Sequence, residues 1–268
     1  MEKVRWGILG CADIARKSVI PGIQQSETGE VVAIASRTKE KAEAMADELS
    51  IPVAYGSYEQ LLRDSSIDAV YIPLPNHLHK EWTIRAASSG KHVLCEKPAA
   101  LNTNEILEME EACRVARVVF AEAFMYRYHP RYAMIREVID SGKIGEVRGI
   151  HCTFTFNNSE DYNNVRYKRE WGGGSLYDVG VYPISVARMV LGKEPTAATT
   201  HAFFSEKHDG VDMMASGLLE FGQGVALTFD CGMWAAFRNR LEIVGTDGRI
   251  EVPSAFVVHQ TEEDHFLL

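Results

Sequence analysis

The chain has 268 residues, with 28 lysines and arginines against 37 aspartates and glutamates, for a net charge of −9. A content of 46% hydrophobic and 24% charged residues is that of a globular protein and excludes disorder, and the acidic balance argues against nucleic acid or an anionic membrane surface as partner. No apolar run approaches the roughly 20 residues of a membrane span. Met1-Glu2-Lys3-Val4 lacks the features of a secretory signal. The five cysteines (11, 95, 113, 152 and 231) are odd in number and form no C-x-x-C, which fits reduced thiols in the cytoplasm better than disulfides or a zinc site.

Strand and helix signals alternate through the first 125 residues. An apolar strand, Val4 to Leu9, precedes a helical pattern from Ala12 to about Gln25. A second strand, Glu30 to Ser36, leads into Thr38 to Leu49, which is rich in the strong helix formers Ala, Glu, Lys and Met. Ser57 and Gln60 read as a capping box for a short helix through Leu62. Asp68 to Pro73 is a third strand, followed by a helix from about Asn76 that Gly90 can end. His92 to Glu96, a helix capped by Asn102 and Glu105, and a strand from Val118 to Ala123 complete the series. Buried strands alternating with crossover helices predict an α/β unit with a doubly wound parallel sheet.

The pattern changes after residue 130. Pro130 opens a helix ending near Ser141-Gly142, the strand Val147–Asn157 follows, and a helix from Leu176 to Leu191 is stopped by Gly192. Strands then run in succession: Ala197–Ser205, Met213–Phe221, Val225–Trp234, Leu241–Val244 and Ile250–Phe256, with turn signals at Gly222-Gln223-Gly224 and Thr246-Asp247-Gly248. The expected architecture is two domains: residues 1–125, binding a dinucleotide, and residues 126–268, an α+β domain with a large, mostly antiparallel sheet for substrate and oligomerisation.

The turn after the first strand reads Gly7-Ile8-Leu9-Gly10-Cys11-Ala12-Asp13-Ile14-Ala15, so Gly10, Ala12 and Ala15 occupy the three small-residue positions of G-x-G-x-x-G/A. Those positions need a tight turn, a close backbone approach to pyrophosphate, and close helix packing, and the helix start offers N–H groups to phosphate. Ala12 departs from the stricter pattern; placement at the first strand of a doubly wound sheet supports the reading. The second strand ends Ala35-Ser36-Arg37-Thr38-Lys39, with Lys41 beyond. The acid that usually holds an NAD ribose is missing. Ser36 and Arg37 can instead bind a 2′-phosphate, which favours NADP over NAD.

Two more segments fall at carboxyl ends of strands, Pro73-Leu74-Pro75-Asn76-His77-Leu78-His79 and Cys95-Glu96-Lys97-Pro98. Lys97 there can lower the pKa of a nearby hydroxyl by its charge. In the second half, Trp171-Gly172-Gly173-Gly174-Ser175 leads into a helix on which Asp178 and Tyr182, four apart, share a face. His77 and His79 have no further ligand set at suitable spacing, so no metal site is expected.

Taken together, the fingerprint from Gly7, Glu96-Lys97-Pro98, and the run from Gly173 to Tyr182 resemble the glucose–fructose oxidoreductase / inositol dehydrogenase (Gfo/Idh/MocA) family over essentially the whole chain. Lys3–Gly10, Ala54–Tyr58 and Val93–Pro98 look most like the branch of NADP-dependent D-xylose and trans-dihydrodiol dehydrogenases. Tyr182 supports that branch, because inositol dehydrogenases usually have His at the corresponding position. The resemblance implies reversible oxidation of a secondary alcohol on a sugar, polyol or cyclic diol, with hydride passing to the nicotinamide. It implies Tyr182 as general acid/base, Lys97 as the cation polarising the hydroxyl, and Asp178 orienting Lys97 or a substrate hydroxyl.

The expected cofactor contacts are Gly10, Cys11, Ala12, Asp13, Ile14, Ser36, Arg37 and Lys41. By the resemblance, Lys97, Tyr55, Leu74, Pro75, Asn76, His79, Glu96 and Arg127 join them. Asn157, Arg166, Tyr167 and Trp171, on the loop side of the second domain, are candidates for reading substrate. A homo-oligomer is expected through an open face of the antiparallel sheet carrying apolar residues of Leu218–Phe221 and Ala226–Phe229. A non-catalytic regulator that senses a dinucleotide or sugar is the competing reading; the joint presence of Lys97, Asp178 and Tyr182 opposes it. The family usually adds a C-terminal helix and strand, so Glu263-Asp264-His265-Phe266-Leu267-Leu268 reads as the approach to such a helix, possible truncation included.

Overall fold

A computed structural model describes residues 2–257 and 265–268, so the expectation for Glu263 and Asp264 lies outside the described residues. The chain forms two compact units, one running through Ala123 and one from Phe124 onward.

The first unit is a six-stranded sheet in which every pairing is parallel. Its strands are β1 (Val4–Leu9), β2 (Gly29–Ala35), β3 (Val53–Tyr55), β4 (Ala69–Ile72), β5 (His92–Cys95) and β6 (Phe120–Glu122), in spatial order β3-β2-β1-β4-β5-β6. Strand order therefore reverses between β1 and β4, and the crevice beyond their carboxyl ends is where such sheets bind ligands. Ile8, Leu9, Ile34 and Ile72 are fully buried, each worth about 1.5–3 kcal/mol relative to exposure. Five helices connect the strands: α1 (Ile20–Gln25), α2 (Lys39–Leu49), α3 (Tyr58–Arg63), α4 (His79–Ser88) and α5 (Thr103–Ala116). Helix α2 buries Ala42, Met45 and Ala46 and leaves its charges outside. Two caps form from residues the sequence marked: Ser57 Oγ accepts the Gln60 N–H at 3.3 Å, and Asn102 Oδ1 accepts the Glu105 N–H at 3.0 Å.

The second unit is a mixed, mostly antiparallel sheet. Its strands are β7 (Val147–Asn157), β8 (Ala197–Ser205), β9 (Val211–Glu220), β10 (Ala226–Gly232), β11 (Trp234–Gly245) and β12 (Arg249–Val252), ordered β12-β11-β7-β10-β9-β8. Among the described residues only β7 and β10 pair in parallel; the other pairings are antiparallel. Helices α6 (Pro130–Asp140) and α7 (Val181–Leu191) bury Ile135, Val186 and Ala187 in one core with Ile150, Phe154, Leu227 and Ile243 of the sheet.

Four expectations need correction. Strand β3 was not foreseen, because only three residues pair and Val53 is exposed. Strand β11 starts at Trp234 rather than Leu241, since its first half is polar or exposed and shows no clean alternation. Strand β12 ends at Val252, short of Phe256: the Ala255 N–H goes to the Asn239 carbonyl and the Phe256 N–H to Asn239 Oδ1. The fourth correction concerns the open sheet face. Leu219, Phe221, Leu227 and Phe229 belong to the helix-covered core, because side chains alternate across a strand. The opposite face presents His151, Thr153, Ser216, Thr228 and Asp230, with Leu218 as expected, around a shallow hollow of about 520 Å³.

Candidate active site

At the end of β1 the chain turns sharply. Gly10 has φ +120°, a region L side chains rarely adopt, and a β-carbon there would stand 3.0 Å from Leu74 Cδ2. Its N–H donates to the Ala35 carbonyl at 2.9 Å, locking the turn to β2. The helix begins at Asp13 and opens in a widened turn over Ala15–Val19, closed by the Ile20 N–H on the Ala15 carbonyl. Ala12 and Ala15 keep the turn small. Asp13 points outward and pairs with Arg16 at 2.9 Å and Lys17 at 3.3 Å, and Ile14 is 43% exposed, so both offer backbone rather than side chain.

Beside this turn lies the end of β2. The Cys11 thiol contacts the Lys41 carbonyl at 3.6 Å and the Ser36 side chain, so Cys11, Ser36 and Lys41 are brought together. Burial pushes the Cys11 thiol up, which keeps it protonated and unreactive. Ser36 is buried and Arg37 exposed, and no carboxylate occupies 36–39. This donor set, with its small-residue turn, fits a dinucleotide carrying a 2′-phosphate. Tyr55 donates its hydroxyl to Asp64 at 2.9 Å and its carbonyl accepts the Ser36 N–H at 3.1 Å, so it shapes this end through its backbone.

The loops after β4 and β5 are tied to each other. His79 is fully buried and approaches the carbonyl of Leu74 at 2.7 Å through Nε2 and that of Pro98 at 2.9 Å through Nδ1. Burial pulls its pKa down, against the two carbonyls, which favour the charged ring. A ring with no exposed surface cannot line a cleft, so His79 braces Leu74-Pro75 and Lys97-Pro98 rather than touching a ligand. Glu96 accepts from the buried Tyr71 hydroxyl, its N–H donates to the Ile72 carbonyl at 3.1 Å, and Glu122 accepts the Ala99 N–H at 2.9 Å. Lys97, half-buried, thus projects from a segment braced on three sides. Leu74, Pro75 and Asn76 are partly exposed in the adjoining loop.

The second unit carries the other candidates. Its helix opens in a widened turn over Leu176–Gly180, where the Val181 N–H reaches the Leu176 carbonyl, and continues as α7. Tyr182 is 4% exposed in an aromatic box of Phe124, Tyr126, Phe154 and Phe256, with ring centroids 5.4, 6.0, 5.1 and 5.1 Å away. Its hydroxyl donates to Met125 Sδ at 3.7 Å. Asp178 accepts from Arg166 Nε at 2.6 Å. Asp178's charge, against the opposing pull of burial, holds the Arg166 proton more tightly than usual.

Sequence reading missed Asp212. Only 7% exposed, it accepts the Ser175 hydroxyl at 2.6 Å and the Leu176 N–H at 2.8 Å, capping from β9 the start of the helix that carries Asp178 and Tyr182. The signal was an acid inside the apolar strand Val211-Asp212-Met213-Met214. The substrate candidates divide. Tyr167 is a correction: 1% exposed, it donates its hydroxyl to the Asn158 carbonyl at 2.6 Å and packs with Val211, Met213 and Met233, so it is a core residue. Asn157 is exposed and closes a turn on Ser159; Trp171 is 39% exposed. Arg127 is exposed on the short turn Met125–Tyr128 of this unit. Among the described residues no three His, Cys, Asp or Glu side chains are grouped to hold a metal, and no helix is long and apolar enough to cross a membrane.

A parallel sheet with the 3-2-1-4-5-6 order and a small-residue turn at its switch point, followed by a mixed sheet whose helix presents Asp and Tyr, is the layout of a two-part dinucleotide-dependent oxidoreductase. Comparison with known proteins narrows this class. Residues 4–124 match the oxidoreductase family with an NAD-binding Rossmann fold, and residues 132–251 match the GFO/IDH/MocA C-terminal domain. D-xylose 1-dehydrogenase (NADP(+)) 2 of Haloferax volcanii is 43% identical, covering 96% of this chain and 78% of that protein. Trans-1,2-dihydrobenzene-1,2-diol dehydrogenase of Xenopus laevis is 35% identical, over 93% and 75%. KijD10, a 3-ketoreductase from Actinomadura kijaniata solved with NADP and TDP-benzene, superimposes with a TM-score of 0.89 at 32% identity, over 99% of this chain and 83% of that one. The protein belongs to the Gfo/Idh/MocA family of oxidoreductases.

Proposed function

We propose that this protein is an NADP-dependent enzyme interconverting a secondary alcohol and a ketone on a sugar, polyol or cyclic diol. The observation that carries the reading is the Tyr182 hydroxyl, directed at Met125 Sδ from a box of four aromatic rings, with Asp178 on the same helix paired to Arg166 of the preceding turn. A phenol so placed can give or take one proton without competing water, which suits a general acid/base. When bound, the nicotinamide supplies the hydride acceptor or donor. Lys97, braced by its loop, polarises the reacting oxygen and makes the proton easier to remove. Asp178 orients the polar groups around it. Gly10 to Ile14 hold the diphosphate through their backbone, and Ser36, Arg37 and Lys41 hold the 2′-phosphate. Trp171, and Asn157 with it, contact substrate.

Support comes from the named relatives, which include a pentose dehydrogenase, a cyclic diol dehydrogenase and a ketoreductase. The test is absorbance at 340 nm with NADP or NADPH against aldoses, inositols, cyclic diols and keto-sugars. Turnover of one class identifies the substrate, and inertness toward all of them refutes the reading. All five cysteines are free thiols, which supports a cytoplasmic setting. A second copy of the chain covers the open sheet face: Phe203 stacks on Trp234 at 4.5 Å with both substantially exposed, and Arg238 beside Asp230 supplies charges of both signs for a two-fold interface. Light scattering of the parent and of Trp234→Asp tests that copy; a monomeric parent refutes it.

A further inference from the structure

Arg166 stands twelve residues ahead of Asp178 in sequence, and its Nε donates to Asp178 Oδ2 at 2.6 Å. Its other contacts fix it from behind. Nη1 reaches Asn164 Oδ1 at 3.3 Å, the same oxygen accepts the Arg166 backbone N–H at 3.1 Å, and the Asn164 amide donates to Asp161 Oδ2 at 2.8 Å. The backbone is fixed as well: the Arg166 carbonyl accepts the Gly174 N–H at 2.9 Å, and the Lys168 carbonyl accepts the Gly173 N–H at 3.0 Å. A β-carbon on Gly173 would lie 2.4 Å from the Arg166 carbonyl oxygen. The glycine run ahead of the acid/base helix therefore serves to let the 164–168 segment lie against the helix start. The guanidinium stands 6.0 Å from the Phe156 ring centroid.

We propose that Arg166 is a positioning residue: the segment from Asn164 to Arg166 is an arm that holds the Asp178 carboxylate in one orientation, and Arg166 does not read substrate. A carboxylate on a helix surface can populate several rotamers. A planar, permanently charged guanidinium, itself held by a second side chain, selects one of them. The Asp178 side chain is 14% exposed against 41% for Arg166, so the pair is sheltered on the acid side. The charge of Tyr182's hydroxyl, when ionised, also acts on Arg166, placing the acid/base group within range of the same cation. The proposal deepens the acid/base reading of Asp178 and Tyr182 and rests on it.

The test compares Arg166→Gln, Arg166→Lys and Asn164→Ala with the parent, and makes Asp178→Asn alone and combined with Arg166→Gln. Using the best substrate of the panel above, Arg166→Gln should lower kcat on the order of 10²-fold, as a misplaced catalytic group does, with KM little changed. Arg166→Lys should recover part of the loss, and also serves if the glutamine variant fails to fold. Asn164→Ala should lose less, and the double variant should be no worse than Asp178→Asn alone, since coupled groups are not additive. A raised KM at parental kcat, or additive losses in the double variant, overturns the proposal. Crystallography supplies a readout independent of turnover: Asp178 should turn or split between rotamers in Arg166→Gln, and an Asp178 unmoved there overturns the arm. Should Asp178→Asn keep the parental kcat, the acid/base reading falls, while the crystal comparison still decides the arm.

Discussion

The two units build their functional ends from different materials. In the first, the work falls to backbone and small residues: Gly10 at φ +120°, Ala12, Ala15, and a strand end without an acid. In the second, it falls to long side chains held by other side chains, Asn164 to Arg166 to Asp178 and Asp212 to Ser175. A backbone site is local, so a short run of sequence carries it. A side-chain site is assembled from distant positions, and its supports cannot be read from spacing.

The contrast can be broken by experiment. The largest effect is expected from Tyr182→Phe, which keeps the ring in its box and removes the proton: kcat should fall about 10²–10⁴-fold with the melting temperature near that of the parent. Retained turnover at 340 nm would remove Tyr182 from the chemistry. Arg37→Asp should move the NADP/NAD preference by on the order of 10- to 100-fold, the worth of a hydrogen bond to a charged group; an unchanged ratio of kcat/KM values sinks the 2′-phosphate assignment.

Gly174→Ala sharpens the comparison from the other side. Gly174 sits at φ +115° and a β-carbon would come 2.0 Å from Asp212 Oδ1. Backbone strain alone should cost about 1–3 kcal/mol in denaturant unfolding, with kcat falling as the helix start shifts. The smallest effect belongs to Asp68, which accepts from Arg5 Nη2 at 2.7 Å and from the Arg5 backbone N–H at 2.9 Å. The guanidinium beside it holds its carboxyl down at about 2. A depressed folded value means stability present above the unfolded value of about 4 and lost as pH falls through about 2. Asp68→Asn should therefore melt slightly below the parent at pH 7, with the gap closing between pH 4 and pH 2; a gap constant over that range refutes the linkage.

Legibility followed locality. The alternation of strands and helices in the first unit came from periodicity, and the caps at Ser57 and Asn102 from their own spacing. Strand β3 was too short to show a period, and the first half of β11, apolar at Trp234–Phe237 but largely exposed, shows no alternation. At the site, Gly10, Ser36 and Arg37 could be named from one motif and one strand end. His79 and Tyr167 could be named but not placed, because nothing in a sequence tells a polar ring facing a ligand from one buried against two carbonyls or a methionine pair. Asp212 could have been flagged as an acid inside an apolar strand but not given its partners, which lie 36 and 37 residues away.

Both functional helices begin with a turn one residue too wide, at Ala15–Val19 and at Leu176–Gly180. Such a turn amounts to a single inserted residue absorbed without breaking the helix. Removing one residue from the second would restore regular winding and rotate everything beyond it by about 100° relative to what precedes it. Asp178 would keep its bearing while Tyr182 swung out of its ring of aromatics. The irregular turn therefore sets the phase between the two groups, and a deletion there would leave every side chain of the site in the chain yet disassemble the site.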